Sequence, residues 1–165
     1  MAETTYINPE MDRTGWPAGP WDSEPDKVSW TDEATGLPCL IVRPNPHFGG
    51  LCGYVAVEPG HPWHGKDHDA LDVDVHGGLT FSASCADDEP IEKAVCHVPE
   101  PGKPGDVWWF GFDCGHAWDV QPAMLARYPE FGFEPRGFGA SYKTVAFVRH
   151  ECEQLAQQLR AVVDV

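Results

Sequence analysis

Side chains capable of acid–base or metal chemistry gather in two short segments of this 165-residue chain, 72–82 and 113–119. In the first, Asp72, Asp74 and His76 alternate with apolar residues, so an extended strand would place all three on one face. Two carboxylates beside an imidazole attract a cation or favour the protonated ring. The pattern also fits an exposed polar strand face, which is usual in antiparallel sheets.

A pair of glycines, Gly77 and Gly78, follows His76 directly. Glycines inside a strand cost stability, and they usually mark a bulge or the close approach of a ligand or another backbone. A histidine before such a kink is well placed to point into a pocket, with the hydroxyls of Thr80 and Ser82 nearby. We therefore predict a ligand-binding site that includes His76, Gly77, Gly78 and Thr80.

The second segment follows an aromatic run and contains Asp113, Cys114, His116 and Asp119. Strand ends that open into glycine-containing loops often carry binding residues. Asp113, Cys114 and His116 therefore complete the predicted ligand-binding set. Asp113, His116 and Asp119 recur every three residues, so one helical turn would bring them together. With His76 they form a candidate site for a divalent metal ion with nitrogen and oxygen ligands.

Cys114 and the other histidines allow further interpretations. A zinc site built on Cys114 and His116 is weaker, because no Cys-x-x-Cys or His-x3-His pair accompanies them. Cys114 could also act as a nucleophile with His116 or His76 as its base, although closeness in sequence is no evidence for that geometry. A polar loop, 61–69, carries three more imidazoles, which are common metal ligands but fit a surface lid equally well.

The elements that position these segments are predicted to be short strands followed by one long helix. Apolar runs predict strands at 38–43, 51–58, 71–76 with a continuation at 79–82, 92–98 and 107–112. One helical turn is predicted at 122–127. A stripe at spacings of three and four predicts a C-terminal amphipathic helix: Val145, Val148, Cys152, Leu155, Leu159 and Val162. Its N-cap is Ser141 or Thr144.

We therefore expect an α+β fold in which a mainly antiparallel sheet packs against this helix. The first 35 residues are acidic and rich in tryptophan, and four prolines interrupt them: Pro9, Pro17, Pro20 and Pro25. Prolines disfavour a regular helix or a central strand, so we predict an irregular arm held to the domain by its aromatic rings. The expected organisation is an acidic arm, 1–35, and a single domain, 36–165.

The formal net charge of −15, with 11 scattered Lys and Arg residues, bears on the partners. Such a chain is repelled by phosphate backbones, so we expect no direct nucleic-acid binding. The charge serves solubility, or it lets an acidic face meet a basic host protein. Residues 1–10 are polar and no apolar run approaches the ~20 residues of a membrane helix, so we expect neither an export signal nor a membrane span. Six dispersed cysteines then predict reduced thiols in a cytoplasm.

Several stretches resemble short bacteriophage and prophage proteins of uncharacterised function. They include Val-His-Gly-Gly-Leu-Thr-Phe at 75–81, Trp-Trp-Phe-Gly-Phe-Asp-Cys-Gly-His at 108–116, and the segments 53–66 and 142–153. The resemblance spans roughly 50–162 and leaves out the acidic arm. It implies an accessory protein acting in the cytoplasm of a bacterial host, and it implies no particular reaction.

Three functional hypotheses follow from the chain and from this setting. The first is a protein that binds a small polar, nucleotide-like ligand in a pocket lined by histidine and aspartate. The second is a metal-dependent hydrolase in which His76, Asp113, His116 and Asp119 hold one cation that activates water. The third is an acidic protein that blocks a host protein.

Overall fold

The computed structural model describes residues 3–127 and 140–163, which form a six-stranded sheet with a long helix on one face. The strands are β1 (Thr4–Tyr6), β2 (Lys27–Thr31), β3 (Pro38–Val42), β4 (Cys52–Val57), β5 (Phe81–Ser84) and β6 (Trp108–Asp113). The helices are α1 (Pro122–Arg127) and α2 (Val145–Val163). The strands lie in the order β1-β2-β3-β4-β6-β5 and all neighbours are antiparallel. The predicted α+β class, with a sheet against a C-terminal helix, is confirmed.

The sheet is buried on both faces. In β4, Val55 and Val57 pack in the cluster that contains α2, whereas Tyr54 and Ala56 pack on the opposite face beside Trp109. Successive side chains of a strand point to opposite faces, so a strand covered on both sides reads as a nearly continuous apolar run. This explains why β3, β4 and β6 are recognisable from the sequence.

Helix α2 begins after Thr144, whose Oγ1 accepts a hydrogen bond from the backbone amide of Phe147 at 3.2 Å. This confirms Thr144 as the N-cap. The carboxylate of Glu24 accepts a second amide, that of Val145, at 2.7 Å, so an acidic side chain lies at the positive end of the helix. The predicted apolar stripe is the buried side of the helix: Val148, Cys152, Leu155 and Leu159 are fully buried.

The N-terminal 35 residues contribute two strands to the sheet, and our prediction of an irregular arm without a central strand was wrong. Strand β2 pairs with β3 on one side and with β1 on the other, so it lies inside the sheet. The four prolines lie outside both strands, where they cost no ladder hydrogen bonds. Glu24 and this inner strand also attach the segment to α2 and to the sheet.

Segment 71–76 is extended but belongs to no strand of the described sheet, which corrects a second prediction. Its backbone is satisfied by helix side chains: Gln158 of α2 accepts from the amide of Asp74 and donates to its carbonyl, both at 2.7 Å. Glu151 accepts from the amide of His76 at 2.8 Å. The alternation of burial is nevertheless present, because every second residue packs beside α2: Leu71, Val73 and Val75.

The predicted strand at 92–98 is also wrong, since this segment forms turns and irregular backbone. Two of its carbonyls bond to a side chain, because the ammonium of Lys27 donates to the carbonyls of Ala94 and Cys96, both at 2.8 Å. Cys96 forms a disulfide with Cys85, so the expectation of six reduced thiols is wrong for this pair. The other four cysteines are free. Neither α1 nor α2 is long and apolar enough to cross a membrane.

Candidate functional site

The side chain of Asp119 lies at the centre of the candidate site and is fully buried. A short parallel bridge to Ser141 positions it. The amide of Val120 donates to the carbonyl of Ser141 at 2.9 Å, and the amide of Ser141 donates to the carbonyl of Trp118 at 3.1 Å. The amide of Asp119 donates to the carbonyl of His116 at 2.9 Å, which closes a turn around the carboxylate.

Four donor groups surround the Asp119 carboxylate. Oδ1 lies 3.0 Å from Nε2 of His76 and 3.0 Å from Nζ of Lys143. Oδ2 accepts from the backbone amide of His116 at 3.0 Å and lies 3.1 Å from Nδ1 of the same residue. A carboxylate offers about four lone-pair positions, so this one is saturated by protein donors.

These donors decide the ionisation of Asp119. Burial raises its pKa, but the hydrogen bonds from the His116 amide, His76, Lys143 and the His116 ring together lower the pKa below its ordinary value. The carboxylate is therefore ionised at neutral pH, and it accepts hydrogen bonds without donating any. Each imidazole nitrogen that faces it must carry the proton.

Each ring consequently keeps one nitrogen for other chemistry. Nε2 of His76 and Nδ1 of His116 face Asp119, which leaves Nδ1 of His76 and Nε2 of His116. Neither of these remaining nitrogens has a hydrogen-bond partner among residues 3–127 and 140–163. In the neutral rings both carry a lone pair and can accept a hydrogen bond, take up a proton or bind a metal ion.

Gly77 allows the two histidines to approach one another. A Cβ atom at this position would lie 2.1 Å from Cε1 of His116, a distance at which the ring would have to move. Its φ of +68° also favours glycine. Gly78 has a φ of +83° but faces open space, so it serves the turn alone. Gly77 therefore marks a close approach, but the approaching group is the His116 side chain and not the ligand or backbone that the sequence suggested.

Aromatic rings border the histidine pair. The indole of Trp118 stacks on His116 with a centroid distance of 4.9 Å and an interplanar angle of 4°, and 48% of Trp118 is exposed. The ring of Phe147 meets His76 edge-on at 5.2 Å. Beyond His76, an open cleft of about 830 Å³ runs along α2. Its lining residues include the polar side chains of Glu151, Gln154 and Gln158.

The structure brings together three of the four predicted metal ligands. One donor atom each from His76, His116 and Asp119 lie within 4.8 Å of one another. Asp113 stays at the edge, because its Oδ1 is 3.7 Å from Nδ1 of His116 and accepts the amide of Gly115 at 3.0 Å. Asp72 and Asp74 are exposed and outside this group.

The remaining predicted residues lie away from the centre. Cys114 is 3% exposed and packs in the core, and burial raises the pKa of its thiol well above the ordinary value. A protonated, buried thiol is a poor nucleophile, so the geometry disfavours that interpretation. Thr80 is exposed, and its amide donates to the carbonyl of Gly111 at 2.9 Å.

The histidines of the polar loop contact carbonyls and carboxylates and do not join the candidate site. Nε2 of His61 lies 2.8 Å from the carbonyl of Leu159, and Nε2 of His64 lies 2.8 Å from the carbonyl of Asp106. His68 lies between two exposed carboxylates at 3.3 and 3.5 Å. The first two contacts attach the loop to α2 and to the segment before β6.

Sequence reasoning missed two participants, Lys143 and Glu151. Lys143 precedes α2 by two residues and reaches Asp119 only because the chain returns beside the 116–120 turn. Glu151 reaches the amide of His76 across the face of α2. Neither has a local sequence signal, since an isolated lysine and a helical glutamate are ordinary surface residues.

Comparisons with protein-family models, with curated proteins and with solved structures found no match to this chain.

Proposed function

We propose that the protein binds a small polar ligand at the His76–His116 pair. The observation that carries this proposal is the saturation of Asp119. Because its oxygens are already occupied by donors, the carboxylate acts as the buried anchor of the two rings. The groups offered to a ligand are the nitrogens that face away from Asp119, here called the outward nitrogens: Nδ1 of His76 and Nε2 of His116. A buried acceptor that sets the tautomer and orientation of an imidazole is a common feature of binding and catalytic sites.

The surroundings indicate which ligands suit the site. The exposed face of Trp118 offers a stacking surface beside the His116 ring. The carboxylates of Asp113 and Glu151 lie close to the histidines, so a bare anion is disfavoured while the rings are neutral. A planar group that carries hydrogen-bond donors, such as the amino group of a nucleobase, matches both the stacking surface and the two lone pairs.

The phage resemblance is part of this proposal. It supports a nucleotide-like ligand made by a bacterial host, and it supports action in the host cytoplasm. The outer parts of such a ligand would extend along the open cleft beside α2.

Binding is tested with a panel of nucleosides and nucleoside monophosphates, using tryptophan fluorescence and calorimetry. We expect saturable binding that is lost in His116→Ala and kept in His64→Ala, a matched control that removes an imidazole from a remote loop contact. Mass spectrometry of small molecules released by heat identifies any ligand that copurifies. A protein that releases nothing and ignores the whole panel would contradict the proposal. Equal binding by the His116→Ala variant would place the ligand elsewhere.

A metal-dependent hydrolase is the second candidate, because three potential ligand atoms lie within 4.8 Å. Against it, the ammonium of Lys143 lies 3.0 Å from Asp119, where a bound cation would be repelled. A metal at this site would therefore be held by the outward nitrogens of His76 and His116, with Asp119 orienting the rings behind them. Elemental analysis of protein purified without chelator tests this candidate. Stoichiometric metal that is lost in His76→Ala supports this candidate, and purified protein that contains no metal excludes it.

The third hypothesis, an acidic surface that blocks a host protein, rests on the net charge of −15 alone. Deletion of residues 1–35 is not a clean test, because it removes β1 and β2 from the sheet. Charge-reversing substitutions at exposed acidic positions are better suited to a pull-down experiment.

A further inference from the structure

A second group of metal-ligating side chains lies on the face of the sheet opposite α2. Cys85 and Cys96 are joined there, with their Cα atoms 4.6 Å apart, and His97 follows directly in the chain. One donor atom from each of the three residues lies within 4.8 Å of the others. All three residues are partly buried. This group is separate from the group formed by His76, His116 and Asp119.

Buried contacts hold this group in position. Nζ of Lys27, on the inner strand β2, donates to the carbonyls of Ile91, Ala94 and Cys96 at 2.6, 2.8 and 2.8 Å. These bonds fix the backbone of Cys96. On the other side, the amide of Ala86 donates to the carbonyl of Val95 at 3.1 Å, which brings the two cysteine-bearing segments together. The donor atoms are therefore gathered by contacts that do not depend on the disulfide alone.

The environment suits two thiolates and a neutral imidazole. The indole N–H of Trp109 donates to Sγ of Cys85 at 3.3 Å, and hydrogen bonds to sulfur stabilise thiolate ligands in metal sites. The ammonium of Lys27 offsets part of the negative charge of two thiolates. The neutral form of the His97 ring has a lone pair that it can donate to a metal ion.

His97 supplies an independent sign of an absent partner. Its Nδ1 atom is buried and has no hydrogen-bond partner in the described residues, although the ring itself is packed edge-on against Trp109 at 5.3 Å. Buried polar atoms are nearly always paired in folded proteins. An imidazole beside two sulfurs acquires such a partner when a metal ion is shared among them.

We propose that the reduced protein binds one zinc ion through Cys85, Cys96 and His97, and that oxidation of the two cysteines to the disulfide releases it. Two thiolates and one imidazole form a soft donor set that zinc prefers over magnesium or calcium. Water completes the tetrahedral coordination of the ion. The oxidant is a peroxide: each sulfur gives up one electron as the S–S bond forms. Hydrogen peroxide takes both electrons and two protons to become two water molecules, and Zn²⁺ leaves.

Cobalt substitution tests the ligand set. Protein reduced with a phosphine and freed of metal is titrated with Co²⁺ under anaerobic conditions, followed by competition with Zn²⁺. We expect one equivalent of Co²⁺ with a thiolate-to-cobalt charge-transfer band, displaced by Zn²⁺. The band should disappear in Cys85→Ser and Cys96→Ser and weaken strongly in His97→Gln. It should stay in Cys52→Ser, which removes a free cysteine on β4, and in His116→Ala, which affects only the other site.

The His97→Gln variant also keeps the test meaningful if loss of a cysteine impairs folding. It retains both sulfurs, so its fold can be confirmed by the far-ultraviolet circular dichroism of the oxidised form. A reduced protein that binds no Co²⁺, or a band that is unchanged in His97→Gln, would overturn the proposal.

The redox step is measured separately. The zinc-loaded protein is treated with hydrogen peroxide in the presence of a chromogenic zinc chelator, and free thiols are counted in parallel. One zinc ion released for every two thiols lost supports the proposal. Zinc that stays bound while the Cys85–Cys96 disulfide forms would contradict it.

Discussion

Asp119 and Lys27 are two buried charges that the molecule satisfies in different ways. The Asp119 carboxylate is fully buried, and its partners include two imidazole rings. The Lys27 side chain is also fully buried, and its partners are three backbone carbonyls in the 91–96 segment. In both cases a charge that would be costly to bury alone is surrounded by groups of complementary polarity.

The two centres differ in whether the partners of the buried charge keep a free hydrogen-bonding group. The partners of the Lys27 ammonium are backbone carbonyls of a loop, so its hydrogen bonds fix the position of that loop. An imidazole that donates to Asp119 has a second nitrogen, which faces away from the carboxylate and stays available for other contacts. A buried charge therefore orients functional side chains directly when its partners are bifunctional, as at Asp119. It positions the backbone when its partners are carbonyls, as Lys27 does for the segment that carries Cys96.

The largest effect is expected from Asp119→Asn. The substitution removes the negative charge and replaces one acceptor oxygen with an NH2 group, which then faces the donors that surround Asp119. Loss of one partner from a buried charged network costs about 3–5 kcal/mol of unfolding free energy. Urea unfolding at neutral pH measures the loss, and ligand binding should disappear with it. Asp113→Asn is the matched control, since it changes an accessible carboxylate of the same segment and should cost less than about 0.5 kcal/mol.

The second-largest loss of unfolding free energy is expected from Lys27→Met. Methionine fills similar space but provides no donor for the three carbonyls, and an unsatisfied buried polar group costs about 1–3 kcal/mol. Because two of the three carbonyls are only partly buried, we expect a total loss of about 3 kcal/mol in urea unfolding. Lys93→Met, which removes an accessible lysine paired with Glu10, should change the unfolding free energy little. If the Lys27→Met protein keeps ligand binding, the two centres are independent, as their positions on opposite faces imply.

A pair of glycine substitutions isolates the approach of the two histidines. Gly77→Ala and Gly78→Ala share a positive φ, and that strain costs each about 1 kcal/mol. Only Gly77→Ala also collides with the His116 ring, so it should lose a further 1–3 kcal/mol or so, typical of overpacking, and it should bind ligand more weakly. Unfolding and calorimetry on both variants measure the difference. Equal behaviour of the two variants would show that the contact between Gly77 and His116 is unimportant.

The smallest expected effects are changes in stability with pH, which should differ between the Asp119 and Lys27 centres. Burial raises the pKa of Asp119, but its hydrogen bonds lower it overall, so its stabilising contribution is present above the ordinary value of 3.8 and is lost as the pH falls below it. Burial lowers the pKa of Lys27 from 10.5 to about 8, so its contribution is present above 10.5 and is lost as the pH falls through 8. The stability difference between wild type and Asp119→Asn should therefore shrink in acid. The difference between wild type and Lys27→Met should grow between pH 8 and 10.5. Unfolding curves across these ranges test both statements.

The fold was predictable where burial makes a simple pattern. The apolar stripe from Val148 to Leu159 correctly predicted a helix, and the apolar runs correctly predicted β3, β4 and β6. Each pattern is set by which faces of the element are buried. Strand β2 was missed because prolines flank it, although none lies within it. Segment 71–76 was misread because α2 side chains can satisfy an extended backbone as well as a neighbouring strand can.

The amino-acid sequence by itself determined the class of fold and three members of the polar centre: His76, His116 and Asp119. Their residue types and the glycine beside His76 were sufficient signals, because paired glycines in an extended segment usually mark the close approach of another group. Only the tertiary structure decided that Lys143 joins them, that Asp113 and Cys114 stay outside, and that Lys27 holds a loop on the other face. The physical reason is that hydrogen bonds and charges act over a few ångströms in space, whereas the contacts concerned link residues that lie far apart along the chain.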